Sequence, residues 1–314
     1  MKYLEPKDVK VLFMGTPEIA VPSLRALVEN GYQVIGLVTQ EDKEIGRKKV
    51  LAPTPCKAYA LSQNIPVFQP HKIRKELDWA NGLEFDVIVT MAYGQIVPDA
   101  LLSMAKVGAV NLHGSLLPAY RGAAPIQRAI ENGEKETGIT LMEMVHEMDA
   151  GKMYAKASTP IGPSETYSSL ANRLSGIAAT LLINHLMDYV NGNIVGEEQD
   201  PSKVTFADKI SVEEETLNIH QNAISLIHKI NSLSEDPGGH VVFREKKLKI
   251  LGASLLDEVE DEPIGTLSVR AKKLALQAKG GHISLDFVLP EGKKAMSGRD
   301  YAGGARILPG EKVS

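Results

Sequence analysis

A single cysteine, Cys56, occurs in the 314-residue chain, which excludes an intrachain disulfide framework and any multi-thiolate zinc site. Long apolar runs are also missing. Stretches such as 107–112 fall far short of the roughly 20 residues that span a bilayer, so no membrane association is expected. The charged opening segment, Met1 to Lys10, does not read as a secretory leader, and a cytoplasmic protein is expected. Neither sign of charge dominates: the net charge of -4 offers a polyanion no global attraction, so any nucleic-acid contact must be local. With 43% hydrophobic and 24% charged residues, the chain reads as folded and large enough for more than one domain.

Several motifs are absent as well. Gly15-Thr16-Pro17 follows an apolar run but lacks the later glycines of a G-x-G-x-x-G turn, leaving a nicotinamide cofactor unsupported. Ser115 has no G-x-S-x-G frame, and no spacing of His, Cys, Asp or Glu reads as a metal site. No heptad repeat is present, so a monomer is expected.

What is there is a regular alternation of strand and helix patterns. The runs 9–14, 32–39, 67–68 and 85–90 read as strands, and 55–62 as a helix. Thr16 is expected to cap a helix that has Pro17 in its first turn and closes at Gly31. Leu170, Leu174, Ile177, Leu181 and Leu182 recur at helical spacing and predict a long helix over 164–189. Such units predict an α/β fold with a doubly wound, mostly parallel, Rossmann-like sheet. Its ligands belong beyond the carboxyl ends of the strands.

The pattern changes toward the C-terminus. Gly192, Gly196 and Pro201 mark a linker, and Ile219, Ala223, Ile224, Ile227 and Ile230 form one helical stripe. Five short strands follow within 240–289, with Ile283, Leu285, Phe287 and Leu289 expected on one face, which indicates a small OB-like β-barrel. The expected division is a catalytic domain over 1–191, a linker over 192–210, and a C-terminal domain with its leading helix over 211–314.

Chemistry concentrates where one apolar run ends. Asn111 and His113 stand two apart, so a strand would point both the same way. An amide donor and an imidazolium together can surround an oxygen that becomes negative. Asp149, before Ala150-Gly151, is a candidate third member, since a carboxylate beside His113 orients the ring and favours its charged form. Taken alone, Asn111 and Asp149 also suit turns. Arg47, Lys48 and Lys49 lie among acidic residues, which leaves open a solvated loop or a phosphate-contacting one.

The segment 111–125, running from Asn111-Leu112-His113-Gly114 through Ser115-Leu116-Leu117-Pro118 to Arg121-Gly122-Ala123-Ala124-Pro125, resembles the formyltetrahydrofolate-dependent formyltransferase family. The likeness extends over nearly the whole chain. It implies that Asn111, His113 and Asp149 are the catalytic set and that Ser115, Leu116, Leu117 and Pro118 help to hold a folate. Ala92-Tyr93-Gly94-Gln95-Ile96-Val97-Pro98 resembles another wall of that site, which implicates Met91, Tyr93 and Val97. Gly15-Thr16-Pro17, the basic stretch 46–57 and Gly292-Lys293-Lys294-Ala295-Met296 resemble the branch of the family that acts on charged tRNA.

That branch implies formyl transfer from 10-formyltetrahydrofolate to the α-amino group of initiator methionyl-tRNA, with no metal. Gly15, Thr16 and Ile19 are then expected near the aminoacyl group, and Arg47, Lys48 and Lys49 on RNA phosphates. The chain departs from the family pattern at Glu41, Lys43, Lys48 and Ile19, and around Ser234-Glu235-Asp236-Pro237. Alternatives are a small-amine acceptor (an amino sugar or purine precursor) or a noncatalytic RNA- or folate-binding homologue.

Overall fold

The computed structural model describes residues 4–45, 50–257 and 262–314. It divides into two compact units, one of Met1–Gly122, Gly138–Thr159 and Asn172–Phe206, the other of Ala123–Thr137, Pro160–Ala171 and Ala207–Ser314.

A seven-stranded sheet organises the first unit. Its order is Met153–Pro160, Glu136–Glu143, Gly108–His113, Val87–Met91, Lys10–Gly15, Gln33–Val38 and Val67–Phe68. The five strands from Gly108–His113 to Val67–Phe68 pair in parallel, whereas Glu136–Glu143 runs antiparallel to Gly108–His113. The mostly parallel sheet is therefore as expected. Val87–Met91 is buried throughout, and a strand covered on both faces needs a nearly continuous apolar run, which Val-Ile-Val-Thr-Met supplies. The strand order reverses between Lys10–Gly15 and Val87–Met91, where an open α/β sheet parts to admit ligands.

One local expectation is corrected beside this point. Thr16 caps no helix: a short 3-10 turn, Glu18–Ala20, comes first and the α-helix starts at Val21. The Thr16 hydroxyl instead donates to the Tyr93 carbonyl at 2.9 Å and accepts from the Gln40 amide at 3.2 Å. Tertiary partners on two neighbouring loops have replaced the local one. The expected long helix is Tyr167–Val190, with Leu174, Ala178, Leu182 and Leu186 fully buried along one stripe. No helix among the described residues is long and apolar enough to cross a membrane.

The second unit holds an antiparallel sheet in the order Gly239–Phe243, Lys246–Leu255, Gly281–Pro290, Lys273–Ala278 and Leu267–Arg270, with Met296–Ser297 also paired to Gly281–Pro290. Helix Ala223–Leu233 places Leu226, Ile227, Ile230 and Leu233 in a core with Ile250, Leu276, Ile283 and Leu285. It begins at Asn222, whose side chain accepts from the Ile224 amide, so Ile219 lies before the helix although it shares the core. Buried Asn231 meets the strand backbone with both ends of its amide, donating to Ala253 O and accepting from Ala253 N.

The expected single face of Ile283, Leu285, Phe287 and Leu289 is broken. Ile283 and Leu285 point into the core, but Phe287 is exposed and Val288 is buried. The pairing shifts between Ile250 and Ala253, with Gly252 opposite Phe287 and Ala253 opposite Leu285. Such irregularities insert extra residues and turn the following side chains to the other face. This unit also takes in 123–137 and 160–171, ahead of the linker expected at 192–210. A charged knot explains part of that packing: Arg128 on helix Pro125–Glu131 pairs with Glu131 and Glu214, and Lys229 reaches both carboxylates.

Candidate active site

Asn111 and His113 occupy the carboxyl end of strand Gly108–His113, one strand from the order reversal. Across the parallel ladder Asn111 lies opposite Thr90. The Thr90 hydroxyl donates to Asn111 Oδ1 at 2.7 Å. An amide whose oxygen is taken in this way presents its Nδ2 donor elsewhere, so the neighbouring strand selects which end of Asn111 is available.

His113 is buried between two acceptors. Its Nε2 lies 2.8 Å from the Tyr120 carbonyl, which can only accept, so Nε2 carries a hydrogen. Its Nδ1 is 3.6 Å from Asp149 Oδ2, within ion-pair range but longer than a hydrogen bond. The structure thus brings Asp149 to His113 from a loop 36 residues away in sequence (149 − 113). Asp149 Oδ2 also accepts from the Gly122 amide at 2.9 Å, which holds the same carboxylate oxygen that faces His113.

The Asp149 loop is closely built. Asp149 has φ 52°, in the left-handed region that Asp enters more readily than most side chains. At Gly151 a Cβ would sit 2.1 Å from Glu143 O, so only glycine lets the loop pass that strand. Gln199 donates through Nε2 to Asp149 O and Gly151 O, and accepts from Arg121 Nε.

The segment Ser115 to Pro118 forms a pinned loop beside these groups. Ser115 Oγ donates to Ala119 O, Thr140 Oγ1 donates to Ser115 O and accepts from Leu117 N, and Lys156 Nζ donates to Leu117 O. Leu117 packs with Met142 and Met153, and Ser115 is buried, so these two residues shape the loop while Leu116 and Pro118 stay partly exposed.

Met91, Tyr93 and Val97 are likewise buried, the last two within the core of the sheet. The Tyr93 hydroxyl makes no hydrogen bond to the described residues, and burial pushes its pKa up. The Tyr93 carbonyl accepts from Thr16 Oγ1 and Gln40 Nε2, and Gly15 pairs with Met91, which joins two of the expected substrate-lining segments. Ile19 is half-buried on the 3-10 turn. Arg47, Lys48 and Lys49 lie outside the described residues.

Cys56 is fully buried and its thiol is pushed up to about 12, chiefly by desolvation, which keeps it protonated at neutral pH. Among the described residues, no group of three or more His, Cys, Asp and Glu side chains is placed to hold a metal ion.

Residues 7–186 match the formyl transferase family, and residues 209–306 match the formyl transferase C-terminal domain. The chain belongs to the formyl transferase family. Within it, the chain is 41% identical over 308 residues to the methionyl-tRNA formyltransferase of Lactobacillus delbrueckii subsp. bulgaricus, covering 96% of this chain and 98% of that relative. It is 42% identical over 300 residues to the methionyl-tRNA formyltransferase of Listeria welshimeri, with 94% and 96% covered. In fold it is similar to a solved N-formyltransferase from Helicobacter canadensis, with a TM-score of 0.67 and 18% identity over 88% of this chain and 98% of that one.

For this formyl transferase, sequence reasoning missed Thr90 and Gln199. A lone polar residue inside the apolar run 87–91 was a usable signal for Thr90. Gln199 carried none, because it stands in a stretch with the composition of a linker.

Proposed function

We propose that the chain transfers the formyl group of 10-formyltetrahydrofolate to the α-amino group of methionine esterified to initiator tRNA. The observation that carries this reading is the meeting of His113 with Asp149 at the carboxyl end of the strand that also bears Asn111. Relatives covering nearly the full chain and named methionyl-tRNA formyltransferase support the choice of acceptor.

The donor set fits such a substrate: Thr90 occupies Asn111 Oδ1 and leaves Nδ2 to donate, while His113 Nδ1 faces Asp149 Oδ2 at 3.6 Å, longer than a hydrogen bond. When bound, the folate supplies an electrophilic formyl carbon. An aminoacyl α-amine has a substantial neutral fraction near pH 7 and can serve as the nucleophile. Preorganised donors from Asn111 and protonated His113 stabilise the formyl oxygen as it takes on charge. Asp149 balances the imidazolium and accepts the amine proton through water. As the new amide C–N bond forms, the formyl carbon–N10 bond breaks, its nitrogen leaving protonated as tetrahydrofolate. Leu116 and Pro118 are the loop residues exposed to a folate, and Gly15, Thr16 and Ile19 border the aminoacyl group.

Arg47, Lys48 and Lys49 are assigned to RNA phosphates, with further RNA contacts from an OB-like C-terminal domain over 211–314 beyond a linker over 192–210. We propose that the enzyme acts in the cytoplasm as a monomer. The deciding experiment measures transfer of labelled formyl from 10-formyltetrahydrofolate to charged initiator and elongator methionyl-tRNAs, with amino sugars as controls. Labelled initiator methionyl-tRNA is expected; label only on the small amines would move the acceptor to that class.

A further inference from the structure

We infer that Gln199 is a positioning residue for Asp149, acting through the backbone of the loop that carries the carboxylate. The inference rests on the reading of Asp149 as part of the reactive set. Gln199 Nε2 donates to Asp149 O at 2.7 Å and to Gly151 O at 2.8 Å. Its Oε1 accepts from Arg121 Nε at 3.0 Å. A guanidinium only donates, so Arg121 dictates the direction of the amide: oxygen toward itself, nitrogen toward the loop. Gln199 and Arg121 are both 8% exposed, so the chain of bonds is sheltered from competing water.

The loop needs such support. Asp149 stands at φ 52°, a conformation that persists in a non-glycine residue only when its surroundings over-determine it. The two Gln199 bonds bracket it, one at its own carbonyl and one two residues later. Gly122 N then fixes the side-chain end by donating to Oδ2. With backbone and carboxylate both held, Oδ2 rests 3.6 Å from His113 Nδ1. Without the two donors, two sheltered carbonyls lose their partner, the loop relaxes, and the carboxylate leaves the imidazole. The hydrogen bonds of Gln199 go to the loop backbone and to Arg121, so its effect on the reaction passes through Asp149.

The test is a double-mutant cycle on the full chain, read as single-turnover formylation of initiator methionyl-tRNA. Gln199→Glu keeps an acceptor for Arg121 but cannot donate to the loop carbonyls. It is expected to lower the rate about 10- to 100-fold, as misplacement by about an ångström does. KM for both substrates should stay within about twofold, and in an Asp149→Asn background the same change should cost less than about twofold. An unchanged rate overturns the inference. So does an equal loss in both backgrounds, which marks general structural damage.

If Gln199→Glu does not fold, Gln199→Met, which matches its size and lacks both donors, enters the same cycle. Failure of both to fold makes Gln199 a determinant of the fold and overturns the positioning role. A parent chain that does not formylate methionyl-tRNA overturns the functional reading instead.

Discussion

Under the proposed reaction, the decisive choice for Asn111 is which end of a symmetric-looking amide faces the formyl oxygen. Thr90 makes that choice from the adjacent strand, because its hydroxyl donates to Oδ1 and leaves Nδ2 free of that bond. Asn111→Ala is expected to lower the single-turnover formylation rate about 10²- to 10³-fold, the usual cost of one oxyanion donor. Thr90→Val should cause a smaller loss, on the order of severalfold, since the freed amide samples both directions, and Thr90→Ser should restore the rate. Equal losses from the Val and Ser variants would assign the effect to packing. Thermal midpoints measured alongside separate the two cases. Asn111 was legible as a candidate from its spacing to His113; its contact with Thr90 was not, because register across a ladder is invisible in one sequence.

Among elements, the loop from Asp149 to Gly151 shows how a strand edge dictates a residue type. A Cβ on Gly151 would lie 2.1 Å from the Glu143 carbonyl oxygen and 2.8 Å from its carbon. Both atoms belong to backbone within a sheet and cannot swing aside. Gly151→Ala is therefore expected to destabilise the protein by about 1–3 kcal/mol, as overpacking does, and to lower activity by shifting Asp149. Urea denaturation and the formylation assay check the two parts; a neutral variant would show that the loop has room to move. The strand Gly281–Pro290 makes the complementary point. Its alternating pattern predicted one apolar face, yet the irregular pairing near Gly252 turns Phe287 outward and Val288 inward.

For the molecule as a whole, the cluster of Arg128, Glu131, Glu214 and Lys229 ties acid stability to fold. The Arg128 hydrogen bond, aided by Lys229 and opposed by desolvation, holds the Glu214 carboxyl well below the usual carboxylate range. The unfolded chain then takes up this proton first, so the stabilisation is complete above about pH 4.3 and is lost as pH falls below it. Glu214→Gln should reduce stability at pH 7 by about 1 kcal/mol, the partly solvated setting weakening the coulombic part. It should also narrow the difference between urea midpoints at pH 7 and pH 3. An unchanged difference would place the acid sensitivity on other carboxylates.

The sequence by itself determined the parallel α/β sheet, the long helix and the strand that carries Asn111 and His113. Those features follow from local periodicity, which each segment expresses without reference to its neighbours. Tertiary structure alone decided that Thr16 binds the Tyr93 carbonyl, that Leu117 fills core, and that Gln199 braces the Asp149 loop. The reason is common to all three. Thr16 and Gln199 meet hydrogen-bond partners, and Leu117 apolar neighbours, that lie far along the chain, and only folding brings those groups within reach.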